Sequence, residues 1–228
     1  MLLLAIDTSG KNGSIALARA GDRTADSSDV EVIDVVALAG GTFSAQLVPQ
    51  IAALLSRRGF TKGDLDAFAV ASGPGSFTGL RIGLAAVKAL AEVLAKPIAA
   101  VSLLEACAFA SGAQGKIMAA LDAGRRDVYV GEYEIPAKAG QVPQERILSK
   151  DEFLAQARGW AVVTPDSVLA DAAVAAGLPV STLPPISADV VVRLGWRKVQ
   201  SGVIVPPERL EANYIRRTDA EILEKSRS

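Results

Sequence analysis

The run LLLAID, Leu2 to Asp7, is apolar at five successive positions and stops on an aspartate, and the same arrangement returns at Ile117 to Asp122. In full, LLLAIDTSGKNGSIALA and KIMAALDAGRRDVYVGEYE share an apolar strand, Ala, an apolar residue, Asp, a small residue, a turn and a second strand. Asp7 and Asp122 hold the same place in each. Such a recurrence restricts the chain to architectures that use one strand-rich unit twice, and a duplicated α/β unit is the economical reading. A chance match of a common strand–Asp–turn pattern is the alternative.

The first strand is apolar on both faces, which predicts a central place in a sheet. GKNG is a turn, SIALARAG returns as a hairpin partner, and VEVIDVVAL alternates as a third strand. SAQLVPQIAALLSRRG predicts a helix with Leu47, Ile51 and Leu55 on one stripe and Gly59 as its stop. Pro49 requires a helix that starts near Val48 or a kinked first turn. DAFAVASG is a buried strand, GLRIGLAAVKALAEVLA a helix closed by Pro97, PIAAVS a strand and LLEACAFASG a helix. Three strands on short turns, then helix, strand, helix, strand, helix, is the order of a ribonuclease H-like α/β lobe. It fills residues 1–110. The linker falls at SGAQGK, and residues 111–228 form a smaller, less regular second lobe. There DEFLAQARG, SVLADAAVAAG and ADVVVRLGWRKVQSG read as helices, WAVVTP as a strand and LPVSTLPPIS as a proline-rich connector. The segment after Arg217 is expected to be a mobile charged tail.

What the chain lacks bounds its chemistry. It has no histidine, which removes the usual general base near neutral pH and the commonest nitrogen ligand for metals. One cysteine, Cys107, excludes disulfides within the chain and cysteine-rich zinc sites; its apolar helical setting predicts a buried thiol. The 24 basic and 25 acidic residues lack the basic excess of a dedicated nucleic-acid binder. The opening apolar run is too short, and without a basic leader, for an export signal, and no run spans a bilayer, so the expected location is cytoplasmic.

Two stretches offer chemistry. Asp7, Thr8 and Ser9 sit at a strand-to-turn junction, with Lys11 inside the turn, and in a duplicated fold of this type such a hairpin is expected to face the phosphates of a nucleotide: hydroxyls and N–H groups can hold phosphate oxygens, Lys11 adds charge, and an Asp can hold a magnesium ion through water. The structural alternative is that Asp7 and Thr8 cap the end of the strand. In GPGSFTGLRIG the lysine of a P-loop is missing, so Ser76 or Thr78 is expected to cap the following helix while Gly73, Gly75 and Gly79 permit the turn. From Gly79 to Ala95 only Arg81, Lys88 and Glu92 are charged. A helix on a sheet needs one apolar stripe, so this one is expected to be covered on a second side. A partner is favoured, with Gly83, Ala86 and Ala89 allowing close approach, because cover from within needs a third layer.

Taken together, LLLAIDTSGKNGSIAL, GPGSFTGLRIGLAAVKAL, ALDAGRRDVYVGEY and NYIRR resemble the TsaB (YeaZ) family, the non-catalytic subunits of the bacterial tRNA threonylcarbamoyladenosine machinery. The resemblance spans the whole chain, and its middle stretch is the most specific. It implies a two-lobed actin-like and sugar-kinase (ASKHA) fold with both lobes ribonuclease H-like. It also implies a TsaD-type catalytic partner, which transfers a threonylcarbamoyl group to the adenosine beside the anticodon, and a TsaE-type ATPase. ATP or ADP near the subunit junction, tRNA contact only through the complex, and a homodimer through the pairing face are further implications.

The pairing face carried over lies on the helices near Ser44–Arg58 and Gly79–Ala95, with Leu47, Ile51, Leu54, Leu55, Leu80, Gly83, Leu84, Ala86, Val87 and Leu90 as its residues. The chain departs from the family in Phe43, where a histidine is common, in Gly124, at the arginine place of Asp-Ala-Arg, and in Ala212, at a usual proline; Tyr214 and Arg216 keep the Tyr-x-Arg pattern. The competing readings are a small kinase of the same fold, with Asp7 or Asp122 as base and Lys11 on phosphate, and a self-associating structural protein. The resemblance also brings in a glycoprotease or metallopeptidase reading, but the metal-binding relatives it implies use a histidine pair that the chain does not have, and no dense acidic cluster replaces it.

Overall fold

Buried length at both faces of the first strand builds the fold outward from β1. A computed structural model describes residues 1–21, 30–136 and 143–215. Strand β1 (Leu2–Asp7) pairs antiparallel with β2 (Gly13–Ala20) and β2 with β3 (Val30–Leu38); after helix α1 (Phe43–Arg57), β4 (Ala67–Gly73) joins β1 in parallel. Helix α2 (Phe77–Leu94) crosses to β5 (Ile98–Ser102), which completes the sheet order β3-β2-β1-β4-β5. Helix α3 (Leu103–Ala110) follows.

The second sheet repeats the first. Strands β6 (Gly115–Gly124), β7 (Asp127–Ile135), β8 (Gln144–Ser149), β9 (Ala161–Thr164) and β10 (Val180–Thr182) adopt the order β10-β9-β6-β7-β8, with α4 (Lys150–Gln156) and α5 (Ser167–Ala175) between strands. Reading β6 for β1 and β7 for β2, every neighbour and every strand direction matches the first sheet. The duplicated unit inferred from the two aspartate-ending strands is therefore a duplicated sheet. Sequence patterning missed both edge strands: in QERILS each residue after Gln144 is half-buried with no alternation to betray it, and the stretch expected as a proline-rich connector holds β10, three residues too short to show a pattern.

Helix α6 (Ala188–Gln200) corrects the expected division. The chain separates into one unit of residues 1–106 and 186–212 and another of 107–185 and 213 onward, not at residue 110 with everything after it in a second lobe. The reason is packing. α6 lies across β1, β2, β4 and β5 with Val191, Val192, Trp196 and Val199 buried, and Gly195 sits so close that a Cβ there would lie 2.4 Å from the Ala69 Cβ. The Ala188 N–H donates to Ser14 Oγ (2.8 Å), Arg193 Nη1 to the Val30 carbonyl (2.8 Å), and Lys198 pairs with Glu105 (2.7 Å). Farther on, the Val205 N–H donates to the Ile98 carbonyl at 2.8 Å, and Leu210 joins the core.

On the other face of the same sheet, Leu2, Leu4, Ile6, Phe68 and Val70 meet Leu47, Ile51, Leu54, Leu80, Leu84 and Val87 of α1 and α2. The first sheet is thus covered twice, so β1 is apolar at every position up to Asp7. α1 is continuous through Pro49 and begins at Phe43; Pro49 and Ala45 are both exposed, which leaves the carbonyl deprived of its helical donor open to water. The second unit has its own core of Met118, Ala120, Val128, Val130, Phe153, Val162 and Leu169.

Candidate functional site

At the end of β1 the sheet gathers its buried polar side chains: Asp7, Thr8, Ser9, Ser14 and Ser72. Ser9 donates both its N–H (2.9 Å) and its hydroxyl (2.5 Å) to Asp7 Oδ1. Burial pushes the Asp7 carboxyl above the ordinary carboxylate range, and the two Ser9 bonds only partly oppose it. Thr8 Oγ1 donates to the Gly79 carbonyl at 2.7 Å, and the Ser76 N–H donates to the Ser9 carbonyl at 2.7 Å. Lys11 is exposed at the tip of the β1–β2 turn.

The side chains at the start of this turn offer phosphate no free donor: Thr8 Oγ1, Ser9 Oγ and the Ser9 N–H are already engaged within the first unit. Among the described residues Asp7 forms no ion pair, and no group of three acidic or cysteine side chains could hold a metal ion. Asp122, its counterpart on β6, is exposed and accepts the Gly124 N–H at 2.9 Å, closing a turn in which Arg125 and Arg126 take left-handed φ values of 55° and 70°. Phe43 is buried against Gly13, where a Cβ would lie 2.9 Å from its ring, and Ala212 packs on the first core. Gly124 has φ 70° and Tyr214 is exposed; Arg216 and the tail after Arg217 lie outside the described residues.

The glycine-rich turn launches α2. Ser76 caps the helix, accepting the Gly79 N–H at 3.3 Å. Its glycines answer to β1: a Cβ on Gly75 would lie 2.6 Å from the Ser9 carbonyl oxygen, on Gly79 2.0 Å from that of Thr8, and on Gly83 2.4 Å from Thr8 Oγ1.

That geometry corrects the pairing residues expected from sequence. Leu47, Ile51, Leu54, Leu55, Leu80, Gly83, Leu84 and Val87 are buried inside the first unit, and Ala86 and Leu90 are half-buried against it, so these side chains hold α1 and α2 on the sheet. The outward faces carry other residues. On α1 they include Ala45, Val48, Ala52 and Ala53 beside Ser44, Pro49, Ser56 and Arg57; on α2 they include Phe77, Arg81, Ala85, Ala89 and Val93 beside Thr78 and Glu92. Val48 and Val93 are 61% and 77% exposed. The Arg81 guanidinium stands 3.9 Å from the centre of the Phe77 ring. The two faces are separated by position along the helix: Leu80, Gly83, Leu84, Val87 and Ala91 form the inward stripe, and Phe77, Arg81, Ala85, Ala89 and Val93 the outward one.

Two matched sheets, each with helices between parallel neighbours, define an ASKHA-type α/β protein, and a family model described as TsaD, tRNA N6-adenosine threonylcarbamoyltransferase, matches residues 37–177. The chain is 38% identical over 136 residues to the tRNA threonylcarbamoyladenosine biosynthesis protein TsaB of Bacillus subtilis, covering 59% of this chain and 56% of that protein. With TsaB of Haemophilus influenzae it shares 33% over 135 residues, 58% of this chain and 53% of the relative. The solved structure of YeaZ from Pseudomonas aeruginosa superposes with a TM-score of 0.70 at 25% identity, over 93% of this chain and 99% of that one. The chain belongs to the TsaB (YeaZ) family. It spans about half the length of the curated relatives it matches. Among the described residues no helix is long and apolar enough to cross a membrane.

Proposed function

We propose that this chain serves tRNA threonylcarbamoyladenosine formation as a non-catalytic subunit that docks a TsaD-type transferase through the outer faces of α1 and α2. The observation that carries the reading is that outward pair of faces, where Ala45, Val48, Ala52 and Ala53 of α1 and Phe77, Ala85, Ala89 and Val93 of α2 lie exposed, Val48 and Val93 by more than half. An exposed apolar face of this kind is what an association surface requires, and small side chains let a second helix pair approach closely. The reading is supported by the names of the TsaB relatives, and the non-catalytic part by a chain without histidine whose buried aspartate turn has its donors engaged. A TsaE-type ATPase joins the same assembly, ATP or ADP belongs to the subunit junction, and tRNA is reached through the complex. In the absence of the partner, a homodimer covers the same face.

The test is a transfer assay with a TsaD-type subunit, threonylcarbamoyl-adenylate and tRNA, with and without this chain. Modification that needs both proteins is the expected result. Full activity of the transferase alone, or ATP turnover by this chain alone, overturns the reading; the second result would favour the kinase.

A further inference from the structure

We propose that Thr8 and Ser9 are positioning residues for the docking helix: the turn after β1 is a latch that fixes the rotation of α2. The proposal rests on the reading of the α1–α2 outer face as the docking surface. Three kinds of contact converge on two residues. The Thr8 hydroxyl bonds the Gly79 carbonyl at 2.7 Å, wholly out of water, and the Ser9 carbonyl receives the Ser76 N–H at 2.7 Å. Gly79 and Gly83, one helical turn apart on one face, leave no room for a Cβ against Thr8, and Gly75 leaves none against Ser9. Asp7 in turn grips Ser9 through two hydrogen bonds, so the latch is held from behind.

These bonds do what the greasy side of α2 cannot. Leu80, Leu84 and Val87 hold the helix to the sheet by burial, which is non-directional and tolerates a small roll or slide. A hydrogen bond between Thr8 and one helical carbonyl, flanked by glycines that admit only that approach, fixes the roll. Phe77 and Arg81 ride on the tethered turns, and Ala85, Ala89 and Val93 follow along the same rod. A face presented in one orientation binds without spending affinity on ordering itself.

The experiment uses the full chain and a TsaD-type subunit, with binding by titration calorimetry, amide hydrogen exchange over residues 76–84, and melting temperature. Thr8→Val keeps the shape and removes the donor; the expected result is roughly tenfold weaker docking and faster exchange at Gly79–Gly83, measured well below the melting temperature. Thr8→Ser, which keeps the hydroxyl, restores both. Thr8→Val that docks as tightly as the unaltered chain overturns the latch. An unaltered chain that does not dock overturns the docking reading instead, and the exchange data then decide whether the turn still tethers α2: unchanged exchange in Thr8→Val sinks that too. Should Thr8→Val fold too poorly to titrate, melting of Gly83→Ala, Thr8→Ala and the double variant replaces it. The latch requires the Gly83→Ala penalty to shrink in the Thr8→Ala background, and simple additivity overturns it. Protection of residues 8–13 by ADP added to the isolated chain would also overturn it, since the turn would then be a phosphate seat.

Discussion

Ser9 hands Asp7 both its main-chain N–H and its hydroxyl, and among the described residues this is all the stabilisation that the buried carboxylate receives. Burial outweighs the two bonds, so the folded protein holds the Asp7 proton more tightly than the unfolded chain does. The contribution of Asp7 to stability is therefore fully present below the unfolded carboxylate range and is lost as pH rises through the raised folded value. Asp7→Asn, which still accepts from Ser9, should melt higher than the unaltered chain at pH 7 and should gain less, or nothing, at pH 4. Thermal melts of both proteins at the two pH values check this; a gain at pH 4 as large as that at pH 7 would refute it.

Gly83 is a folding position and not a bare docking contact. Gly83→Ala drives a Cβ into Thr8 Oγ1, and overpacking of this kind costs about 1–3 kcal/mol. A charged residue there should leave little folded protein, so lost association would report unfolding. Denaturant titration followed by the buried Trp196 measures the loss.

Ala85→Glu and Ala89→Glu should behave in the opposite way. Both sites are exposed, so stability should stay within about 0.5 kcal/mol of the unaltered chain. Each puts an unpaired charge at the centre of the proposed contact and should weaken docking to a TsaD-type subunit by at least about tenfold. Calorimetry beside a melting curve separates the two effects.

Leu54→Ala removes a fully buried side chain between α1 and the sheet and should cost about 2–5 kcal/mol. Any loss of docking should then track the loss of folded protein in the same denaturant series.

Cys107 is buried and its thiol is pushed up to about 12. At pH 8 it should react with a thiol reagent only as fast as the protein opens, and immediately in denaturant. Rapid labelling of the native chain would contradict its placement.

Much of this architecture was legible in the sequence, for reasons that differ by element. The order from β1 to α3 follows from local periodicity and breakers, because each strand or helix there is signalled by its own residues. Gly59, Gly73 and Pro97 bound elements where the patterning put them. The docking of α6 was not legible: its apolar stripe announces a buried face but not which sheet it meets, and Gly195 gives no hint of Ala69. The inward set on α1 and α2 is not legible in the sequence, because a helix apolar nearly all round gives no sign of which stripe the sheet will cover. Asp7 was visible as a candidate, whereas the commitment of Thr8 and Ser9 to α2 depends on a contact across seventy residues of chain.

The discontinuous make-up of the first unit has a consequence for synthesis. One face of β1, β4 and β5 waits for α6, so a nascent chain that has delivered all five strands of the first sheet still exposes Ala69 and Ala99 until Gly195 has left the ribosome. Maturation of the first unit is thereby postponed until residues 186–212 have been delivered, and a truncated product ending at Pro185 should be recognised by quality control as unfinished instead of persisting as an independent half.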